Sequence, residues 1–156
     1  MRNRLKGVTL IETMIYIALF SIILLIIINF MFSAQESTMR NNRRAELQKT
    51  IEFFTQHVTD TFDRTNSVNT ENCVFLDNQG VLNVTTDMVN EYKLEDGRIL
   101  FNNIPITPKG ILVGSFHLEP VNDSFYKTIG VRFNIQLSSR EDSQVTQEIN
   151  LLTVIR

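Results

Sequence analysis

Between Gly7 and Gly80 the chain has neither a glycine nor a proline, although four further glycines and three prolines follow from Gly97 onward. These residues interrupt helices and mark turns. Their absence allows one long helix, and their return marks a change to strands joined by loops. Charge is also missing over a long stretch, since nothing between Glu12 and Glu36 is ionised. Cysteine is reduced to Cys73, which excludes an intrachain disulfide. The net charge is only −2, and subtracting the three positive charges of the first six residues leaves −5, so no nucleic-acid footprint is present. The HExxH, CxxC and EF-hand spacings are absent, and no metal or other cofactor is expected. No A-x-A-like site follows the apolar run, which argues against an ordinary secretory signal peptide.

What is present begins with Arg2, Arg4 and Lys6, then Gly7, then an apolar run to Phe32 that contains Glu12. A bilayer core of roughly 30 Å needs about twenty helical residues, and Thr13 to Phe32 supplies them. Leu, Ile, Phe and Val each favour insertion by roughly 0.3 to 0.6 kcal/mol at the helix centre, so those of this run outweigh Ser21 and Asn29. A buried core helix would need a soluble domain large enough to surround it, and the 156 residues less these 32 leave 124, the size of one small domain. The basic start predicts a cytoplasmic N-terminus, a single pass through the cytoplasmic membrane and an extracytoplasmic C-terminal domain.

The segment KGVTLIE followed by this apolar run resembles the prepilin leader of type IV pilins and of the pseudopilins of type II secretion and competence machines. The resemblance covers about Lys6 to Phe32. It implies that a prepilin peptidase cuts between Gly7 and Val8, that the freed amine of Val8 is N-methylated, and that Glu12 is the glutamate five residues into the mature chain. Val8 departs from the Phe or Met usual at that position. Asn29 sits where many major pilins carry a helix-bending proline, and the disulfide loop of many major pilins has no counterpart here. The partners implied are other pilin or pseudopilin subunits through the N-terminal helix, the prepilin peptidase, an inner-membrane assembly platform and the lipid bilayer. The product would be part of a cell-envelope or surface filament.

Past the apolar run, Leu47, Ile51, Phe54, Val58 and Phe62 recur at helical spacing and predict a face buried on a globular domain. Asn42, Arg43, Glu46, Lys49 and Asp60 read as the solvated face. Thr65, Asn66 and Ser67 are expected to end the helix. Short apolar runs then follow at Cys73–Leu76, Val81–Val84, Tyr92–Leu94, Ile99–Phe101 and Ile111–Leu118. Strict alternation from Ile129 to Leu137, a polar turn and the run Val145–Ile155 predict a hairpin. Glu95, Asp96 and Gly97 predict a tight turn of the Asp-Gly kind. The expected fold class is α+β, a long N-terminal helix packed on a mainly antiparallel sheet. Its divisions are a leader 1–7, a membrane or filament-core half 8–32, an amphipathic half 33–66 and a β-rich domain 67–156. The order YKLEDGRILF, ITPKGILVGSFHL, LLTVIR resembles the J-type minor pseudopilin and PilW-like minor pilins.

Candidate chemistry is sparse. His57 and His117 read as ordinary surface or core histidines, and Cys73, among Val74, Phe75 and Leu76, as a buried structural thiol. Glu95 with Asp96 and Glu141 with Asp142 read as solvated loop charges. Arg40, Arg43 and Arg44 form a basic cluster with two readings, a solvated helix face or a contact with lipid headgroups or an acidic neighbour. Asn29 is costly in an apolar helix without a partner. Its amide either bonds within its own helix or faces the membrane edge, or it makes an interhelical hydrogen bond in a filament core. These features predict a structural subunit, a minor pilin or pseudopilin acting in filament initiation or at the tip, and not an enzyme. The alternative is a single-pass anchored binding module that never polymerises, and leader processing separates the two.

Overall fold

The computed structural model describes residues 9–155, and the expected cleavage site at Gly7 and Val8 lies outside them. The uninterrupted helix is α1, Leu10–Asp63. Among the described residues eight strands follow: β1 Ser67–Val68, β2 Val81–Thr85, β3 Val89–Glu95, β4 Arg98–Phe101, β5 Ile104–Pro105, β6 Ile111–Asn122, β7 Thr128–Ser139 and β8 Thr146–Val154. All strand pairings are antiparallel, in a five-stranded sheet ordered β1 to β5 and a three-stranded sheet ordered β6-β7-β8. The α+β expectation therefore holds, with two sheets in place of one. The chain divides into two compact units at Asn41 and Asn42.

The N-terminal unit consists, over its described residues, of the first part of α1. Its apolar side chains from Leu10 to Phe32 are exposed on every face, and the segment is long and apolar enough to cross a membrane. The last part of α1 belongs to the other unit and buries a stripe of Leu47, Thr50, Phe54, Val58 and Phe62. Thr50 takes the place expected for Ile51, which is only partly buried against the core. A threonine can be buried there because its hydroxyl donates to the Glu46 carbonyl of its own helix at 3.0 Å. Phe54 is the keystone of the core. Its ring stands edge-on to Tyr92 of β3 at 6.5 Å and to Phe116 of β6 and Phe133 of β7 at 6.4 and 6.0 Å, so one side chain joins the helix to both sheets.

The Asp-Gly turn forms as expected between β3 and β4. Asp96 and Gly97 both have positive φ, 51° and 69°, the pair of values a type I′ hairpin requires. A second two-residue turn at Asn102 and Asn103, with φ of 50° and 66°, adds β5, which the apolar runs do not indicate. The expected run Cys73–Leu76 is not a strand. Val74 makes a single bridge to Val81, and Leu76 takes a φ of 62° that breaks extended backbone. The residues after it turn to lie along the outer edge of β6. There the Leu76 N–H donates to the Leu118 carbonyl at 2.9 Å and the Gly80 N–H to the Phe116 carbonyl at 2.8 Å. Gly80 must be glycine, because a Cβ would stand 2.6 Å from that Phe116 oxygen.

Candidate functional site

Thr9 starts the helix. Its carbonyl accepts from the N–H of Glu12 and of Thr13 at 3.1 and 3.2 Å, and its hydroxyl oxygen lies 3.4 Å from the Glu12 N–H. The spacing Thr9-x-x-Glu12 is that of a capping box, which places a carboxylate in the first turn, where the helix dipole favours it. Glu12 accepts a hydrogen bond from the Tyr16 hydroxyl at 3.2 Å. Neither Thr9 nor Tyr16 is among the expected site residues. Their signals are the threonine three residues before Glu12 and the tyrosine four after it, one helical turn away.

Asn29 lies about 25 Å from Glu12 along the helix axis, at about 1.5 Å per residue, so the fold does not bring the two together within one chain. The other hydroxyl-bearing positions nearby are satisfied locally, with Thr13 donating to the Leu10 carbonyl at 2.7 Å and Ser21 to the Ile17 carbonyl at 2.8 Å. Asn29 differs. It is exposed, and among the described residues its amide has no hydrogen-bond partner. Bonding within its own helix is thus not observed.

In the C-terminal unit, His57, Tyr92 and Cys73 have structural partners. His57 meets the Tyr92 hydroxyl through Nδ1 at 2.9 Å, and Tyr92 lies 2.8 Å from the Thr61 hydroxyl. Thr61 donates to the His57 carbonyl at 2.8 Å. The arrangement that satisfies all three has His57 Nδ1–H donating to Tyr92 and Tyr92 donating to Thr61. Burial lowers the His57 pKa, with Asp60 opposing, and burial pushes that of Tyr92 up, with the Thr61 hydrogen bond opposing. The cleft beside this network, about 400 Å³, is lined among others by His57, Asp60, Arg64, Asp87 and Phe101.

Cys73 donates to the Asn69 carbonyl at 3.1 Å and accepts from the Asn83 N–H at 3.2 Å. Burial raises its pKa and keeps it a thiol. His117 faces Glu119 at 3.7 Å. Arg43 corrects the expectation of a solvated face, because it pairs with Glu141 at 3.0 Å and Asp142 at 3.5 Å in the turn between β7 and β8. Glu141 stays a solvated loop charge at 75% exposure, whereas the Asp142 side chain is 16% exposed. Arg40 pairs with Glu36, one turn back on α1, at 2.9 Å. Among the described residues, no group of three or more His, Cys, Asp or Glu side chains could hold a metal ion.

The family model for the prokaryotic N-terminal methylation motif matches residues 2–28. Neither a curated protein nor a solved structure matches the chain. The motif supports the type IV pilin and pseudopilin family, and with it a membrane-anchored pilus or pseudopilus subunit that is processed by a prepilin peptidase and associates with other pilin subunits.

Proposed function

We propose that this protein is a minor pilin or pseudopilin that co-assembles through its N-terminal helix and acts in filament initiation or at the tip. The observation that carries the reading is the methylation motif at residues 2–28, running into a helix whose apolar side chains are exposed on every face. Such a surface needs lipid or other apolar helices around it. The order of the β-strand segments favours the minor J-type or PilW-like subunits over a major pilin.

In this reading residues 1–7 are a cytoplasmic leader, 8–32 the membrane and filament-core half of the helix, 33–66 its amphipathic half and 67–156 the extracytoplasmic domain. The subunit waits in the cytoplasmic membrane and passes to the filament through an inner-membrane assembly platform. Cleavage between Gly7 and Val8 creates a methylated amine at Val8. A charged residue at the centre of a membrane helix costs about 2.5 to 3.5 kcal/mol, and less toward the edge where Glu12 stands. The Tyr16 hydroxyl gives Glu12 one hydrogen bond. The Val8 amine of a neighbouring subunit supplies the countercharge and fixes axial register, a use for which buried ion pairs are better suited than for stability. Asn29 contributes an interhelical hydrogen bond, worth about 0.6 to 2 kcal/mol.

Intact mass and N-terminal sequencing of the protein from its native membrane test this directly. The expected product starts at a methylated Val8, and retention of Met1 in cells with an active prepilin peptidase overturns the reading in favour of a simple anchored module. Glu12→Ala is expected to leave insertion and cleavage intact and to weaken recruitment to neighbouring subunits. Unchanged crosslinking of that variant at matched expression removes the charge-pairing step.

A further inference from the structure

A long open sheet edge is a template for another strand, because its outward N–H and C=O groups are unpaired. The edge strands of the five-stranded sheet, β1 and β5, are two residues each. In the three-stranded sheet the outer edge of β6 is covered by the chain itself. Gly80 and Leu76 donate to it, Phe116 N–H donates to the Asn78 carbonyl at 2.8 Å, and Val113 N–H donates to the Gly97 carbonyl at 2.8 Å. Phe116 and Leu118 direct their backbone outward, so Pro120 holds the next outward position, where it has no N–H to offer.

The opposite edge, β8, has none of these protections. Ser139 N–H donates to the Val145 carbonyl at 2.9 Å and Ile155 N–H to the Ile129 carbonyl at 2.8 Å, which sets the odd-numbered residues of β8 toward β7. Thr146, Glu148, Asn150, Leu152 and Val154 therefore direct their backbone groups outward, and all five are exposed. Among the described residues, no hydrogen bond closes on those groups. The strand runs nine residues in unbroken register with β7 and contains no proline, glycine, lysine or arginine.

We propose that β8 is a docking edge that takes an extended segment of a different filament subunit as a fourth strand. This rests on the filament-subunit reading above. A second copy of this chain is the wrong partner for geometric reasons. Pairing β8 with β8 uses one surface twice and closes on a two-fold axis, whereas a filament repeats a rotation and rise that joins two different surfaces. The other described edges are too short or already covered to serve as that second surface. Main-chain hydrogen bonds supply affinity in such strand addition, and alternate side chains supply specificity. Glu148 is the one charge on β8 and has no ion pair among the described residues. The incoming segment accordingly carries a lysine or arginine opposite it, and apolar side chains beside Leu152 and Val154, which are 51% and 44% exposed.

The test uses the full chain in its native membrane, with a photocrosslinking residue placed in turn at Leu152 and at Ile22. Both positions are expected to yield adducts, with the Leu152 adduct mapping to a basic, extended segment of another subunit. Asn150→Pro removes an outward N–H and no bond to β7, so it should reduce the Leu152 adduct by about tenfold, the equivalent of one main-chain hydrogen bond. The Ile22 adduct and the unfolding midpoint should stay as in the parent. Glu148→Lys, at an exposed side chain, should reduce the Leu152 adduct as well. A Leu152 adduct between two copies of this chain, or one that survives both substitutions, overturns the proposal. An Ile22 adduct without a Leu152 adduct overturns the docking edge and leaves the filament reading standing. Absence of both overturns the two together.

Discussion

On a single helix, Leu19, Leu24 and Ile27 expose 53%, 45% and 50% of their surface, while Leu47, Phe54 and Val58 expose 1% or less. The backbone is alike at both ends. The difference lies in what surrounds it. The first segment is apolar on every face and its side chains are exposed, a surface that lipid or other apolar helices can cover. The second is apolar along one stripe and has two sheets to receive it. The pattern of apolar residues around the helix, more than their number, separates a membrane or assembly element from a folding element.

Deleting residues 1–32 should break this contrast most visibly. The thirteen Leu, Ile, Phe and Val residues from Ile15 to Phe32, at about 0.3 to 0.6 kcal/mol each, contribute about 4 to 8 kcal/mol to insertion. The remaining chain is expected to move from the membrane pellet to the soluble fraction. Retention in the pellet after a carbonate wash would show that the C-terminal unit holds a membrane surface of its own. Next in size is a matched pair of phenylalanine truncations, read by denaturant unfolding of the full chain in detergent. Phe54→Ala should cost about 3 to 5 kcal/mol, since it empties the contact between helix and both sheets. Phe20→Ala, at a side chain 65% exposed, should stay within about 0.5 kcal/mol of the parent. Equal effects would erase the distinction between the two segments.

The smallest effect sharpens the comparison within the C-terminal unit. His57 is held below its ordinary pKa of about 6.5 by burial. The unfolded chain therefore takes up a proton on acidification before the folded one does. The contribution of neutral His57 is fully present above pH 6.5 and is lost as pH falls from there through the folded value. His57→Gln should flatten that part of the stability profile, measured by thermal unfolding between pH 7.5 and 5. An unchanged profile would assign the acid sensitivity to other groups.

Much of the fold is legible in the residues. The helix follows from the missing glycine and proline and from the Leu47 to Phe62 stripe, the β3–β4 hairpin from Asp96-Gly97, and the β7–β8 hairpin from strict alternation. The candidate site is legible in part, since Thr9, Glu12 and Tyr16 lie within one short helical segment and interact at fixed spacing. The misreadings share a cause. Arg43 meets Glu141 and Asp142 across nearly a hundred residues. Leu76 is drawn out of extended backbone where its segment meets β6, and β5 depends on two asparagines in left-handed backbone that a composition rule does not single out.

The leader-like start, the uncharged span, the single thiol, the amphipathic stripe and the tight turns are written in the residues themselves. Each depends on residues close together, whose geometry follows from helix or strand periodicity or from the conformational freedom of one residue. Packing of the whole unit makes Phe54 join two separate sheets, makes Tyr92 bridge His57 and Thr61, and covers the edge of β6 while leaving β8 open. Those outcomes depend on contacts between distant segments. No local preference encodes them, because burial and main-chain pairing are settled by which surfaces meet when the whole unit packs.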